Sequence, residues 1–365
     1  MSSTTDFEFM AHALQLAERG LYSTDPNPRV GCVLVRDGEV VGRGWHVRAG
    51  APHAEINALA EAGERARGAT AYVSLEPCCH HGRTPPCSTA LIEAGVVRVV
   101  AAMQDPNSLV AGQGFAALQA AGIAVSSGVL EATALELNAG FVKRMRSGLP
   151  LVRCKLAQSL DGRTAMASGE SRWITGAAAR ADVQHLRARS SAILTGIDTV
   201  LADDPALNVR LGTAPRQPLR VILDSRLRIP ASARVLALPG DTLVITGSTD
   251  AGRARELQRA GVGVAVLPLR DGRLDLAAVL RHLGELGINE VHVEAGATLS
   301  GALLREGLLD ELVLYVAPHI MGDQGRGLFA LPGLERMEQR IGLQIIDTRA
   351  VGADWRITAR PLPVS

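Results

Sequence analysis

The sequence predicts an α/β protein built from two domains. Three observations carry that expectation: a length of 365 residues, alternating helical and strand-like runs along the whole chain, and a charged Gly- and Pro-containing segment before the middle. A single core usually holds ~100–200 residues, so two are the default. Hydrophobic residues make up 47% and charged residues 21%, which gives both halves enough apolar surface for an ordinary core.

In the first half, Phe9, Met10, Ala13, Leu14 and Ala17 recur at helical spacing before Gly20. Runs 30–35 and 40–44 flank an Asp37-Gly38 turn and predict a hairpin. A helix over 54–66, a strand over 69–75, a helix over 89–94 and a strand over 96–101 follow, and 115–121 with 123–126 repeat the helix-strand step. Such alternation favours a layered domain with helices covering a buried sheet. The segment 143–150 suits an exposed connection, which places a first domain over 1–147 and a second over 150–362. Beyond it, strand-like runs at 151–156, 192–195, 219–223, 242–245, 290–293 and 311–316 alternate with helical stretches such as 178–189 and 276–286.

Charge narrows the function classes. Up to Pro150 there are 14 acidic residues against 12 Lys and Arg, and the whole chain carries a net +1. Neither half has the basic excess of a protein that grips nucleic acid through phosphates. The first ten residues contain Asp6 and Glu8 and no basic cluster before an apolar run, unlike a signal peptide. Run 106–130 is uncharged but broken by polar residues and Gly, which argues against a bilayer span. A cytoplasmic address follows, and with it the expectation that the five cysteines are thiols or metal ligands rather than disulfides.

The strongest local signal is Pro52-His53-Ala54-Glu55 opening a helix, followed by Glu76-Pro77-Cys78 after a strand and by Pro85-Pro86-Cys87-Ser88 opening another helix. One imidazole and two thiolates suit Zn²⁺ and leave a fourth tetrahedral position for water. Two predicted helix starts, at His53 and Cys87, would add positive dipole ends beside the anionic sulfurs. A zinc ion there would generate a nucleophile from water near neutral pH, and Glu55 is the natural proton shuttle, as in zinc nucleobase deaminases. In those the second cysteine follows the first by three residues; here Cys87 follows Cys78 by nine. The competing reading is a structural zinc closed by Cys79, His80 or His81, which gives Glu55 no task.

The run Leu75-Glu76-Pro77-Cys78-Cys79-His80-His81-Gly82-Arg83-Thr84-Pro85-Pro86-Cys87 resembles the long zinc loop of the bifunctional riboflavin-biosynthesis deaminase/reductase family. Residues 25–32 and 103–107 are similar to the same family, and the likeness continues almost to the C-terminus. It implies a cytidine-deaminase-like three-layer α/β/α domain followed by a dihydrofolate-reductase-like α/β domain. It also implies that His53, Cys78 and Cys87 bind Zn²⁺ and that Glu55 is the catalytic proton donor. Cys79 departs from the family, where a serine is expected, so a cysteine-swapped ligand set stays open. Asn27 is as well explained as a turn residue as a substrate contact, and His80, His81 and Arg83 could meet a substrate phosphate or simply be solvated.

No G-x-G-x-x-G follows the first strand of the second half, so an ordinary Rossmann site is unsupported. Run 291–304 does predict a strand, a glycine turn and a helix start whose amides could hold a pyrophosphate. Runs 155–165, 169–175 and 199–205 resemble the family's reductase half. That likeness implies NADPH contacts at Ala157, Trp173, Thr199, Asp203, Ser225 and the turn of Gly296, Ala297, Thr298, Leu299, Ser300, Gly301 and Ala302. It implies substrate contacts at Ser171, Arg187, Leu207, Arg210 and Glu294. Without the likeness, Arg187 would pass for a solvated helix face, Trp173 for core and 203–205 for a turn. Lys155 and Asp203 are candidate acids for the reduction.

The implied activity is deamination of a diaminopyrimidinone ribosyl 5′-phosphate followed by NADPH-dependent reduction of the ribosyl side chain to ribityl. The expected partner is that small molecule, with neither nucleic acid nor membrane, in a homo-oligomer. Two rivals remain: a deaminase acting on a flipped nucleic-acid base, and a zinc-stabilised protein that only senses a nucleotide.

Overall fold

The computed structural model describes residues 4–79, 86–108, 110–212 and 216–362. The chain divides into two compact units, Met1–Gly148 and Leu149–Ser365.

In the first unit, helix α1 (Thr4–Glu18) precedes the hairpin β1 (Gly31–Arg36) and β2 (Glu39–Trp45), with Asp37 and Gly38 at its turn in the left-handed region. Then come α2 (Ala54–Ala62), β3 (Thr70–Val73), α3 (Cys87–Glu93), β4 (Arg98–Ala101), α4 (Gln113–Ala120), β5 (Ala124–Ser127), α5 (Glu131–Leu137) and α6 (Ala139–Ser147). The sheet order is β2-β1-β3-β4-β5, antiparallel at the first two joints and parallel at the last two.

Close packing of helices on both faces is written in three glycines. A Cβ on Gly31 would lie 2.0 Å from the Ala13 carbonyl oxygen of α1, and one on Gly44 would lie 2.1 Å from the Ala54 carbonyl oxygen of α2. Gly42 is as tight, 2.3 Å from the Ala58 oxygen. Gly44 pairs with Cys32, whereas Gly31 is the neighbour of Cys32 on β1, so α2 and α1 cover opposite faces. The result is the three-layer α/β/α arrangement expected. Buried Asp6 of α1 ties that helix to the sheet by accepting from Tyr72 Oη at 2.9 Å and from both terminal nitrogens of Arg98 at 2.8 and 3.0 Å.

Segment 143–150 differs from the exposed connection expected. Lys143 to Ser147 form the last turns of α6, because Arg144 and Arg146 complement the negative helix end and Gly148, at φ 72°, provides the left-handed stop.

The second unit runs β6 (Leu151–Ser159), β7 (Arg163–Ala165), α7 (Ala177–Arg189), β8 (Ala192–Gly196), α8 (Ile197–Asp203), β9 (Leu219–Leu223), α9 (Arg234–Ala237), β10 (Thr242–Thr246), α10 (Ala251–Arg259) and β11 (Gly263–Val266). It continues β12 (Leu269–Arg270), β13 (Arg273–Leu274), α11 (Leu276–Glu285), β14 (Glu290–Val293), α12 (Ala297–Arg305), β15 (Glu311–Ala317), β16 (Arg326–Gly327), β17 (Leu343–Val351) and β18 (Asp354–Pro361). Nine strands form one sheet in the order β11-β10-β9-β8-β14-β6-β15-β18-β17. The first seven are parallel and the last two join antiparallel. The chain reverses its winding around β6, which brings several strand C-termini to one crevice, the usual place for a ligand in an open sheet.

Replacing Gly44 with Ala forces α2 off the sheet. We expect the first unit to lose about 1–3 kcal/mol in urea unfolding, the usual cost of overpacking; an unchanged midpoint would contradict this packing.

Candidate functional site

The first site is assembled by three chain segments. His53 is the N-cap of α2, Cys87 opens α3, and Cys78 follows β3 on a loop. Their donor atoms all lie within 4.8 Å of one another, and among the described residues no fourth His, Cys, Asp or Glu joins the group. Tetrahedral zinc with ordinary bond lengths would set a nitrogen and a sulfur donor about 3.6 Å apart. His53 Nδ1 is 3.6 Å from Cys78 Sγ and 3.3 Å from Cys87 Sγ, so the donor set fits zinc in kind and in spacing. Cys79 points elsewhere, its Sγ 3.8 Å from Gln113 Oε1. His80, His81 and Arg83 lie outside the described residues.

Electrostatics prepare this group for a cation. Without a metal, the Cys78 thiol is held well below its ordinary range, first by its hydrogen bond with Cys87 and then by His53. Cys87 is pushed up by sharing its proton with Cys78 and by burial, and His53 is raised by its bond to Cys78. Glu55, in the first turn of α2 and only 3% exposed, is pushed up to about 7 by burial. It contacts Cys87 yet is not one of the three donors.

Two supporting residues had no role assigned from the sequence. Glu76, buried on the loop that carries Cys78, accepts from the backbone amides of Asp105, Gly112, Gly114 and Phe115 at 2.9–3.3 Å. It clips that loop to the start of α4, where Gly114 is obligatory because a Cβ would lie 2.0 Å from the Pro77 carbonyl oxygen. His46 is also buried. Its Nδ1 lies 3.1 Å from the Pro52 oxygen and its Nε2 3.0 Å from Asn27 Nδ2, which fixes Nδ1 as the donor. Its ring stands edge-on to His53 at 5.3 Å between centroids, and Asn27 is half-buried.

The second site lies at the C-terminal ends of the parallel strands. Glu294 directly follows β14, Ala157 is near the end of β6, Thr199 is on α8 after β8, and Ser225 follows β9. Glu294 is gripped by buried Arg187 of α7, with Nε to Oε1 at 2.5 Å and Nη2 to Oε2 at 2.8 Å, while Nη1 donates to the Asn208 oxygen at 2.9 Å. The fork of Arg187 is therefore turned to a carboxylate of the protein, not outward as a free phosphate clamp. Arg187 and His292 hold the Glu294 carboxyl far below the usual range against the opposing effect of burial. Arg210 is the exposed cation nearby, with one Nη on Asn208 Oδ1 at 3.0 Å.

Other residues differ in how they could meet a ligand. Leu207 is 2% exposed in the core, so it can offer only its backbone. In the glycine turn, Gly296, Ala297, Thr298 and Leu299 reach the surface to varying degrees, whereas Ser300 and Gly301 are buried. Ser300 accepts from Cys154 Sγ, and Gly301 packs where a Cβ would lie 2.4 Å from the Ala330 oxygen. Those two shape the turn instead of lining it, and Ala302 is half-buried in the helix behind. Trp173 is 71% exposed, not core, with the Arg180 guanidinium 4.6 Å above its ring. Asp203 is the last residue of α8, beside Arg172, and Ser171 is half-buried two residues before Trp173. Lys155 is held below its ordinary range by burial, its Nζ 5.8 Å from the Tyr315 ring centre.

Comparison with known proteins shows the family of both units. Residues 3–103 match the cytidine and deoxycytidylate deaminase zinc-binding region, and residues 150–357 match the RibD C-terminal domain. The chain is 53% identical over 361 residues to the riboflavin biosynthesis protein RibD of Escherichia coli, covering 96% of this chain and 97% of that one. The structure superposes on Acinetobacter baumannii RibD with a TM-score of 0.92 at 49% identity, covering 98% and 99% of the two chains. It is also similar to the Thermotoga maritima diaminohydroxyphosphoribosylaminopyrimidine deaminase/5-amino-6-(5-phosphoribosylamino)uracil reductase, with a TM-score of 0.87, 34% identity and the same two coverages. On matches that run nearly end to end through both units, the chain belongs to the RibD family of bifunctional riboflavin biosynthesis proteins.

Proposed function

We propose that this chain performs two successive steps of riboflavin biosynthesis. The first unit deaminates 2,5-diamino-6-ribosylamino-4(3H)-pyrimidinone 5′-phosphate, and the second reduces the ribosyl side chain to ribityl with NADPH. The observation that carries the reading is the three-donor group beside a buried carboxylate that is not one of the donors.

His53, Cys78 and Cys87 would hold the zinc. Bound there, zinc supplies Lewis acidity that makes water a nucleophile near neutral pH. Glu55 accepts the water's proton and returns protons to the ring nitrogen and the departing ammonia. In the metal-free site burial raises this carboxyl above its ordinary range. Asn27, held by His46, can offer its amide to the pyrimidine.

In the second unit, NADPH supplies the hydride. Ala157, Thr199 and Ser225 at the strand ends, with Trp173 and Asp203, form the walls against the cofactor. The free amides opening α12, at Ala297 to Leu299, suit its pyrophosphate. Glu294 orients the sugar by accepting from hydroxyls on the edge left by Arg187, Ser171 and the Leu207 backbone close the substrate side, and Arg210 meets the phosphate. Lys155, eased toward neutrality by burial, is the better-placed acid of the two candidates, because Asp203 is at the exposed end of α8.

The net charge of +1 supports a small-molecule substrate over a polynucleotide. Among the described residues no helix is long and apolar enough to cross a membrane. We place the enzyme in the cytoplasm, where reducing conditions keep its free cysteines as thiols. We expect a homo-oligomer.

Incubation with the diaminopyrimidinone phosphate should release ammonia without cofactor and add two hydrogens only when NADPH is present, as read by product mass. Glu55→Gln should retain zinc and the reductase step while losing about 10²–10⁴-fold in deaminase kcat; unchanged turnover removes Glu55 from the mechanism.

The raised Glu55 carboxyl also links stability to pH in zinc-stripped protein. The folded unit holds this proton up to about 7, the unfolded chain only to about 4.5. Its stabilising contribution is full below the lower value and lost as pH rises through the upper one. Denaturation midpoints of the stripped wild type should therefore fall relative to stripped Glu55→Gln between about pH 5 and pH 8; a constant difference would show that the carboxyl is not perturbed.

A further inference from the structure

His292 is fully buried in the middle of β14, and neither ring nitrogen has a well-aligned hydrogen bond. A buried imidazole without partners is a cost that an aliphatic side chain would not carry. An acidic neighbour on the same strand gives a reason for its presence. Nε2 lies 3.2 Å from Oε1 of Glu294, two residues further along the same face of the strand.

We propose that His292 is a positioning residue of the reductase site, holding Oε1 of Glu294 from beneath so that Oε2 is the oxygen offered to the substrate's sugar hydroxyls. The inference rests on the reading that Glu294 meets the substrate. A carboxylate has about four acceptor directions. Arg187 occupies one on each oxygen, at 2.5 and 2.8 Å, and His292 crowds the second direction of Oε1. The remaining direction is on Oε2. The backbone is fixed as well, because Thr195 Oγ1 donates to the Glu294 carbonyl at 2.7 Å.

The surroundings keep the imidazole uncharged. Burial pushes His292 below its ordinary value, and Arg187 on α7 and Arg153 on β6 push the same way against the pull of Glu294. A neutral ring at this distance leaves intact the carboxylate charge that the sugar needs.

The test uses the full-length, zinc-loaded enzyme and its deaminated pyrimidine intermediate. For His292→Leu we expect the reductase KM for that intermediate to rise about 10-fold with kcat nearly unchanged, the pattern of a lost binding interaction. The NADPH Kd and deaminase turnover should stay at wild-type values, the urea midpoint should be equal or higher, and His292→Gln should recover most of the KM. Three results would overturn the proposal: wild-type reductase kinetics in His292→Leu, loss of NADPH binding in that variant, or no recovery by Gln. Glu294→Gln separates the underlying reading. If it impairs reduction while His292→Leu does not, only the role of His292 falls; if Glu294→Gln is itself silent, the substrate contact falls too.

Discussion

Three donor atoms from positions 53, 78 and 87 must meet within 4.8 Å, and the first unit is organised around that constraint. Two of them sit where a helix begins, so their backbones are fixed by secondary structure. The third is on a loop, and a loop needs a separate anchor. Glu76 provides it with four backbone amides, and Gly114 lets the loop approach α4 closely enough for those bonds to form. The height of α2 above the sheet is set in turn by the missing side chains of Gly42 and Gly44. The chemistry of the site therefore depends on residues with no reactive groups.

The second unit handles charge differently. Its buried ions are arranged along one face of the sheet, with Arg153 between Glu290 and Glu311 toward the strand starts and Arg187 on Glu294 at their ends. Each pair is buried, so breaking either would leave an uncompensated ion. At the lower cluster the pairing is structural. At the upper one Arg187 and His292 hold the Glu294 carboxyl well below its ordinary range against the effect of burial.

Much of this was legible beforehand. The helix starts at His53 and Cys87 follow from proline and small polar residues preceding apolar spacing, and the hairpin follows from Asp37-Gly38. Other features could not be read. The hairpin of β17 and β18 escaped because β17 is exposed on both faces and so lacks the alternation that marks a half-buried strand. The Arg187 to Glu294 pair joins residues 107 apart, and spacing along the chain says nothing of such a meeting. Ser300 and Gly301 looked like part of a ligand turn, but a helix sends successive residues to different sides, and these two go inward. Glu76 lies two residues before Cys78, yet nothing local distinguishes a clamp on four amides from a solvated carboxylate.

Deamination by the first unit requires a metal held by one imidazole and two sulfurs with one position left to solvent. X-ray absorption at the zinc edge of the purified, zinc-replete protein measures this directly. We predict two sulfurs at about 2.3 Å and two lighter donors at about 2.0–2.1 Å, with one lighter donor lost in His53→Ala. A third sulfur, which would bring in Cys79, or a shell unchanged by that substitution, would contradict it.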